Sequence, residues 1–319
     1  MEKIYLHDHK EFLNIISIIA DEMDIEPYLV EKDYWIMHTL YGLKGQGFDF
    51  ELKGGTSLSK GFGYINRFSE DIDIVITPPE EIPTKVFIGK NHTKDNHIQS
   101  RLDYYQWLTD HIAIPGIIDA KRDTEFDAPP KYFGGGIRLF YQSLTAKVEG
   151  PKEGILLEAG FDDISPNQPV TISSWSYDRA VKVKLDISDN RATDIKCYNP
   201  EYTFVEKLQA IIRKFGQEMH SGTVNQNFLR QYYDVYELLG RQEVIAFIGT
   251  DAYQGHKARR FNNKELEKPL AENPAFDFSS PELLNSFKER FLKTRALYYN
   301  GQPTFDEIID RIKLHLDKM

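Results

Sequence analysis

The stretch Lys53-Gly54-Gly55-Thr56-Ser57-Leu58, followed downstream by Asp71-Ile72-Asp73-Ile74-Val75-Ile76, decides how the first half of the chain is read. Residues 48–53 (Phe-Asp-Phe-Glu-Leu-Lys) alternate apolar and polar side chains, the pattern of a strand. Gly54-Gly55 ends that strand, and Thr56 or Ser57 is placed to cap a helix running through Leu58, Phe62 and Ile65. Residues 71–76 predict a second strand, closed by Pro78-Pro79.

Side chains two apart on a strand share a face, so Asp71 and Asp73 converge on one place while Ile72 is buried on the other side. Two unpartnered carboxylates repel each other. Mg²⁺ relieves that repulsion, binding through one or two carboxylates together with substrate phosphates, and Mn²⁺ takes the same oxygen donors. Gly54 and Gly55 allow close backbone approach, and a following helix N-terminus with Thr56 and Ser57 hydroxyls favours an anion. The pattern predicts a triphosphate site beside a metal site, the parts needed for phosphoryl or nucleotidyl transfer. A third carboxylate on a neighbouring strand is expected as general base or metal ligand. Glu158, alone in the apolar run Ile155-Leu156-Leu157-Glu158-Ala159, is the candidate, with Lys184 and Asp186 as rivals.

The rest of the chain bounds this reading. With 319 residues, 41% hydrophobic and 28% charged, the composition is that of a globular protein with a real core. The 20 Phe and 18 Tyr are expected mainly in that core. The single cysteine, Cys197, excludes an internal disulfide and a cysteine-rich zinc site. No apolar run is long enough for a membrane helix, and the first residues lack a signal core, so a cytoplasmic protein is expected. A net charge of −10 argues against a broad nucleic-acid-coating face. Lys85, Lys90 and Lys94, Lys121 and Arg122, Arg213 and Lys214, and Lys257, Arg259 and Arg260 form local basic clusters.

Periodicity predicts helices over 9–23, 27–43 and 100–115, with a lysine-bearing loop over 80–100. Strands are expected at 137–148, 154–159, 170–173 and 180–186, with Gly134-Gly135-Gly136 as a hairpin bend. Helices are expected at 201–215, 224–239, 242–249, 281–296 and 304–317, with 250–280 rich in loops. The chain divides near residue 195 into an α/β half and a helical half.

Lys53-Gly54-Gly55-Thr56-Ser57-Leu58 with Arg67-Phe68-Ser69-Glu70-Asp71-Ile72-Asp73 resembles the AbiEii/AbiGii toxin family, nucleotidyltransferases of the polymerase-beta-like superfamily. The resemblance also takes in Glu31-Lys32-Asp33-Tyr34-Trp35-Ile36, Phe204-Val205-Glu206-Lys207-Leu208-Gln209-Ala210 and Arg230-Gln231-Tyr232-Tyr233-Asp234-Val235. It implies an α+β fold, a mixed sheet flanked by helices followed by a C-terminal helical bundle, with domains at 1–195 and 196–319. It further implies Asp71 and Asp73 as the metal-binding pair, and Gly54, Gly55, Thr56, Ser57 and Ser69 at the nucleotide. Lys207 matches a lysine that holds the triphosphate, and Asp234 an acid that completes the site. The family often has an acid where this chain has Gln231. The Glu31-Lys32-Asp33 block reads as a structural ion pair at a helix end, with a direct role for Lys32 or Asp33 as the other reading.

The implied activity is transfer of a nucleotide from a nucleoside triphosphate to an acceptor hydroxyl, with a tRNA 3′ end as acceptor and a cognate antitoxin as partner. Two other readings stay open: a module that binds GTP or RNA without turnover, and transfer to a small molecule or a protein.

Overall fold

The computed structural model describes residues 3–146, 153–266 and 268–319; the end of the strand expected over 137–148 lies outside them. The chain forms two compact units, one of residues 1–62 and 68–198, the other of residues 63–67 and 199–319.

The first unit opens with helices α1 (Phe12–Met23) and α2 (Pro27–Gly45), then strand β1 (Phe50–Lys53), a helical turn α3 (Gly54–Thr56) continuing as Ser57–Gly61, and strand β2 (Asp71–Ile76). Helix α4 (Asp95–His111) leads to β3 (Ile117–Asp123), β4 (Gly134–Tyr141), β5 (Ile155–Gly160) and β6 (Asn167–Ile172). Helix α5 (Trp175–Lys182) and strand β7 (Ala192–Tyr198) complete the unit.

Among the described residues the strands form one seven-stranded sheet in the order β3-β4-β5-β2-β1-β7-β6. It is mixed: β2 runs antiparallel to β1 and parallel to β5, and β1 runs parallel to β7. The carboxylate-bearing strand is therefore central. Ile72, Ile74 and Ile76 are buried beside Leu52, Leu157, Ile137 and Leu139, while Asp71, Asp73 and Val75 on the other face are only half-buried. That alternation fixes the register, because a slip of one residue would bury both aspartates.

Three expectations are corrected in this unit. Residues 180–186 are not a strand: Ser174 caps α5 by accepting from Tyr177 N, and Tyr177 and Ala180 are buried at helical spacing. The apparent alternation came from Val181 and Val183, which are exposed. Gly134-Gly135-Gly136 is not a bend but the start of β4. A Cβ at Gly135 would meet the Tyr105 ring at 2.5 Å and one at Gly136 the Asp123 carbonyl at 2.4 Å, so the glycines let β4 pack. The helix through Leu58 stops at Gly61 instead of reaching Ile65, its last turn wide, with Phe62 N donating to Ser57 O five residues back. Strands β3 and β7, rich in Asp, Lys, Arg and Thr, carry too little apolar alternation to be read, and β3 is an edge strand, where charge is tolerated.

The second unit is helical: α6 (Pro200–Ser221), α7 (Arg230–Leu238), α8 (Gln242–Phe247), α9 (Asp251–Arg260), α10 (Asn263–Leu266), α11 (Pro281–Leu292) and α12 (Phe305–Lys313). Helix α9 falls in the stretch expected to be loop, its start fixed by the Thr250 side chain accepting from Tyr253 N. Tyr232, Phe228, Phe276, Phe278, Phe287 and Phe305 pack edge to face in its core, with Phe291 tilted against Phe305, which is where much of the aromatic content goes. No helix among the described residues is long and apolar enough to cross a membrane.

Candidate active site

The sheet register builds the site. Asp73 lies opposite Lys53 on β1 and opposite Glu158 on β5, and Asp71 lies opposite Leu156. Paired residues share a face, so Asp71, Asp73, Glu158 and Lys53 project to one side of the sheet, where all four are half-buried. Lys53 Nζ pairs with Asp162 Oδ2 at 3.6 Å.

The glycine turn is built onto the same strand. Gly54 has φ +73°, and a Cβ there would lie 2.2 Å from Asp73 Oδ2. Only glycine fits, both for the backbone conformation and for the space. Thr56 Oγ1 donates to the Asp71 carbonyl at 2.5 Å, tying the turn to the first residue of β2. Neither Thr56 nor Ser57 caps the helix; the residue before it, Lys53, is extended and makes no side-chain cap. Both hydroxyl side chains are fully buried, and the Ser57 hydroxyl lies by the Cys197 thiol, whose pKa burial pushes up to about 12. Besides these hydroxyls, the turn can offer an anion its backbone N–H donors. Ser69 is half-buried in the irregular approach to β2.

Lys184 and Asp186 are not rivals to Glu158. They follow α5 in a loop, Lys184 with φ 61° and Asp186 paired with Lys3 at 2.9 Å on the surface.

The Glu31-Lys32-Asp33 block is not an internal ion pair. Consecutive helical residues point about 100° apart, and each of these takes a different partner. Glu31 accepts from Ser143 Oγ, Leu144 N, Thr145 N and Thr145 Oγ1. Lys32 Nζ meets Glu70 Oε2 at 3.3 Å, and Asp33 meets Lys60 Nζ at 2.7 Å while accepting from Trp175 N at 2.9 Å. Burial lowers the Lys32 pKa, opposed by the negative charges of Glu70 and Asp71; burial raises that of Asp33, opposed by Lys60.

In the second unit, Lys207 pairs directly with Asp234, and Asp234 is shared with Arg67, to which the sequence alone assigned no role. Arg67 grips Asp234 with two hydrogen bonds of 2.7 Å, and Lys207 Nζ lies 2.9 Å from Asp234 Oδ2. Asp234 is fully buried. Burial alone would raise its pKa, but Arg67 and Lys207 prevail and hold it at about 2. Arg67 stood in the quoted Arg67-Phe68-Ser69-Glu70-Asp71 block; the signal available was an arginine among apolar neighbours, which needs a buried acid.

The arrangement fits a divalent cation. Two half-buried carboxylates on one face are hard oxygen donors, the number Mg²⁺ takes when substrate phosphates supply the rest. Among the described residues no group of three or more His, Cys, Asp or Glu is placed to hold a metal. Glu158, although in register with Asp73, is thus not drawn into a three-carboxylate cluster.

The family model described as nucleotidyl transferase AbiEii toxin, type IV toxin–antitoxin system, matches residues 39–311. The chain belongs to this family. It is accordingly a nucleotidyltransferase, of the toxin component of a type IV toxin–antitoxin system. No curated protein matches it. Among solved structures, an antigenic nucleotidyltransferase-like protein from Paracoccidioides brasiliensis is similar at a TM-score of 0.35 and 13% identity, over 72% of this chain and 87% of that one.

Proposed function

We propose that this AbiEii-family chain transfers a nucleotide, with Mg²⁺ or Mn²⁺, from a nucleoside triphosphate to the 3′ hydroxyl of a tRNA. In this reading it acts in the cytoplasm as a phage-defence toxin held in check by a cognate antitoxin. The observation that carries the reading is the contact of Gly54 with Asp73. It brings a backbone turn suited to phosphate against a carboxylate suited to metal, and triphosphate chemistry needs both in one place.

Asp71 and Asp73 would hold the cation, which supplies charge neutralisation at the phosphates. The backbone N–H groups of the turn bind the triphosphate, and Gly54 lets them approach it. The acceptor oxygen bonds to the α-phosphorus as the bond to the pyrophosphate oxygen breaks. The hydroxyl proton passes to a carboxylate on the same face, for which Glu158, in register with Asp73, is the candidate. Lys207 is assigned to the triphosphate on the family pattern, and Asp234 orients its ammonium.

The experiment is incubation with each α-³²P-labelled nucleoside triphosphate, Mg²⁺ and total bacterial tRNA, with Asp71→Ala beside the parent. Label at tRNA size that is lost in Asp71→Ala supports the reading and identifies the nucleotide. Label on protein or on a small molecule alone replaces the acceptor. Nucleotide binding with no label anywhere replaces the reaction with a binding function.

A further inference from the structure

The Glu31-Lys32-Asp33 triplet takes no part in the chemistry above, yet its side chains are only 0%, 1% and 0% exposed. Ion pairs of this kind are a poor way to stabilise a helix, because apolar side chains of the same volume do so without desolvating charge. What they add is a fixed direction and distance between particular segments, and the segments here are those of the site.

Asp33 holds Lys60, in the continuous helical stretch that begins at Gly54 and ends at Gly61. The near end of that stretch meets β2 through Thr56 on Asp71 and Gly54 on Asp73. Lys60 is further fixed over the Trp175 ring at 5.0 Å, and Trp175 N donates to Asp33 itself. Lys32 holds Glu70, the residue immediately before Asp71. Two neighbouring residues on one helical turn thus reach the two parts that must be spaced correctly, the nucleotide turn and the carboxylate strand.

We propose that Lys32 and Asp33 are positioning residues of the nucleotidyl-transfer site, Asp33 setting the glycine turn through Lys60 and Lys32 setting the Asp71–Asp73 strand through Glu70. The inference rests on the reading of the turn and the aspartates given above. It assigns separate effects to the two arms: loss of the Asp33 arm weakens nucleotide binding, and loss of the Lys32 arm weakens metal binding.

The test is equilibrium binding of each of the four nucleoside triphosphates with Mg²⁺, and of Mn²⁺ alone followed by its paramagnetic resonance signal. The proteins are the full chain, Asp33→Asn/Lys60→Met, Lys32→Met/Glu70→Gln and Asp71→Ala. Each double variant removes both charges of a pair, so no buried charge is stranded, and the asparagine still accepts from Trp175 N. Partners that orient a site in this way are worth about 10–100-fold in affinity. We expect a loss of that size in triphosphate binding for the first double variant and in Mn²⁺ binding for the second, in protein whose circular dichroism matches the parent. If Asp33→Asn/Lys60→Met does not fold, Asp33→Asn/Lys60→Gln carries the same comparison, since it too strands no charge and keeps a polar side chain at the partner that is 14% exposed. Folded double variants with the parent's affinities, beside an Asp71→Ala that has lost Mn²⁺, overturn the positioning role and leave the site reading intact. Parental Mn²⁺ and triphosphate binding by Asp71→Ala overturns the site reading and this inference with it.

Discussion

Gly54 and Asp73 are built against each other: a methyl group on Gly54 would lie 2.2 Å from Asp73 Oδ2 and 3.0 Å from its Cγ. The carboxylate reaches the backbone of the turn because there is no side chain in between. In a family of nucleotidyltransferases, this makes the glycine part of the carboxylate's own geometry as well as of the turn.

Gly54→Ala therefore carries two costs. Placing a non-glycine residue at φ +73° costs about 1–2 kcal/mol, and Asp73 must move to make room. A displacement of about 1 Å at a reacting centre costs roughly 10²-fold in rate. We expect Gly54→Ala to stay folded with a modestly lowered melting temperature and to lose about two orders of magnitude in nucleotide transfer. A melting curve with a labelled-nucleotide assay checks both, and parental turnover in Gly54→Ala would remove the turn from the site.

Asp71→Asn and Asp73→Asn separate charge from shape. Each removes one negative charge from a shared face while keeping the side chain's size. Mg²⁺ with a triphosphate should raise the melting temperature of the parent and not of either variant, since a ligand stabilises only what it binds. Transfer should fall on the order of 10³-fold or more, corresponding to several kcal/mol of lost charge stabilisation. A parental thermal shift in both variants would place the metal elsewhere.

What the sequence made legible follows from where the apolar pattern is strong. The alternation in Asp71–Ile76 and the punctuation at Gly54-Gly55 gave β2, the turn and the shared face of the aspartates, because burial of Ile72 and Ile74 leaves one register. The helical spacing of α6 and of α12 was similarly visible. Strand β3, with Asp119, Lys121 and Arg122, was not visible, since an edge strand needs little apolar content. Helix α5 was misread because Val181 and Val183 alternate in sequence while lying exposed. At the candidate site, sequence singled out residues one by one but not their partners. That Arg67 and Lys207 share Asp234, or that Asp33 holds Lys60, depends on tertiary pairing that no local spacing encodes.

Acid should destabilise the first unit before carboxylates titrate. Burial lowers the pKa of both His7 and His38 to about 4. His38 Nε2 lies 2.9 Å from the Pro115 carbonyl, which can only accept, so Nε2 carries the proton and Nδ1 accepts from Asn190 Nδ2 at 2.8 Å. A histidine that is neutral when folded and protonates near 6.5 when unfolded supports stability above pH 6.5. That support is lost as pH falls towards 4. The loss is about 1.4 kcal/mol per pH unit for each histidine. Urea unfolding at pH 7, 6, 5 and 4 should show this slope, reduced by one proton's worth in His38→Gln, whose amide can both donate and accept. An unchanged slope in that variant would mean His38 does not titrate on unfolding.

The Arg67–Asp234–Lys207 cluster gives a prediction in which stability and function part company. Asp234, held at about 2, stabilises the fold above pH 4 and loses that contribution as pH falls towards 2; the amount is about 2 kcal/mol. Asp234→Asn strands two buried cations and should cost about 3–5 kcal/mol. It should also flatten the acid limb between pH 4 and 2. Lys207→Met leaves Asp234 gripped by both Arg67 hydrogen bonds, so its effect on melting should be the smaller of the two. If Lys207 also holds the triphosphate, the order reverses for binding. Lys207→Met should then weaken nucleotide affinity at least about tenfold, equivalent to 1.4 kcal/mol, in protein that remains well folded. Titration of the Lys207→Met protein with a fluorescent triphosphate decides it. Parental affinity would make Lys207 only the second partner of a buried aspartate. A tenfold loss without a matching loss of stability is something a merely structural lysine would not produce.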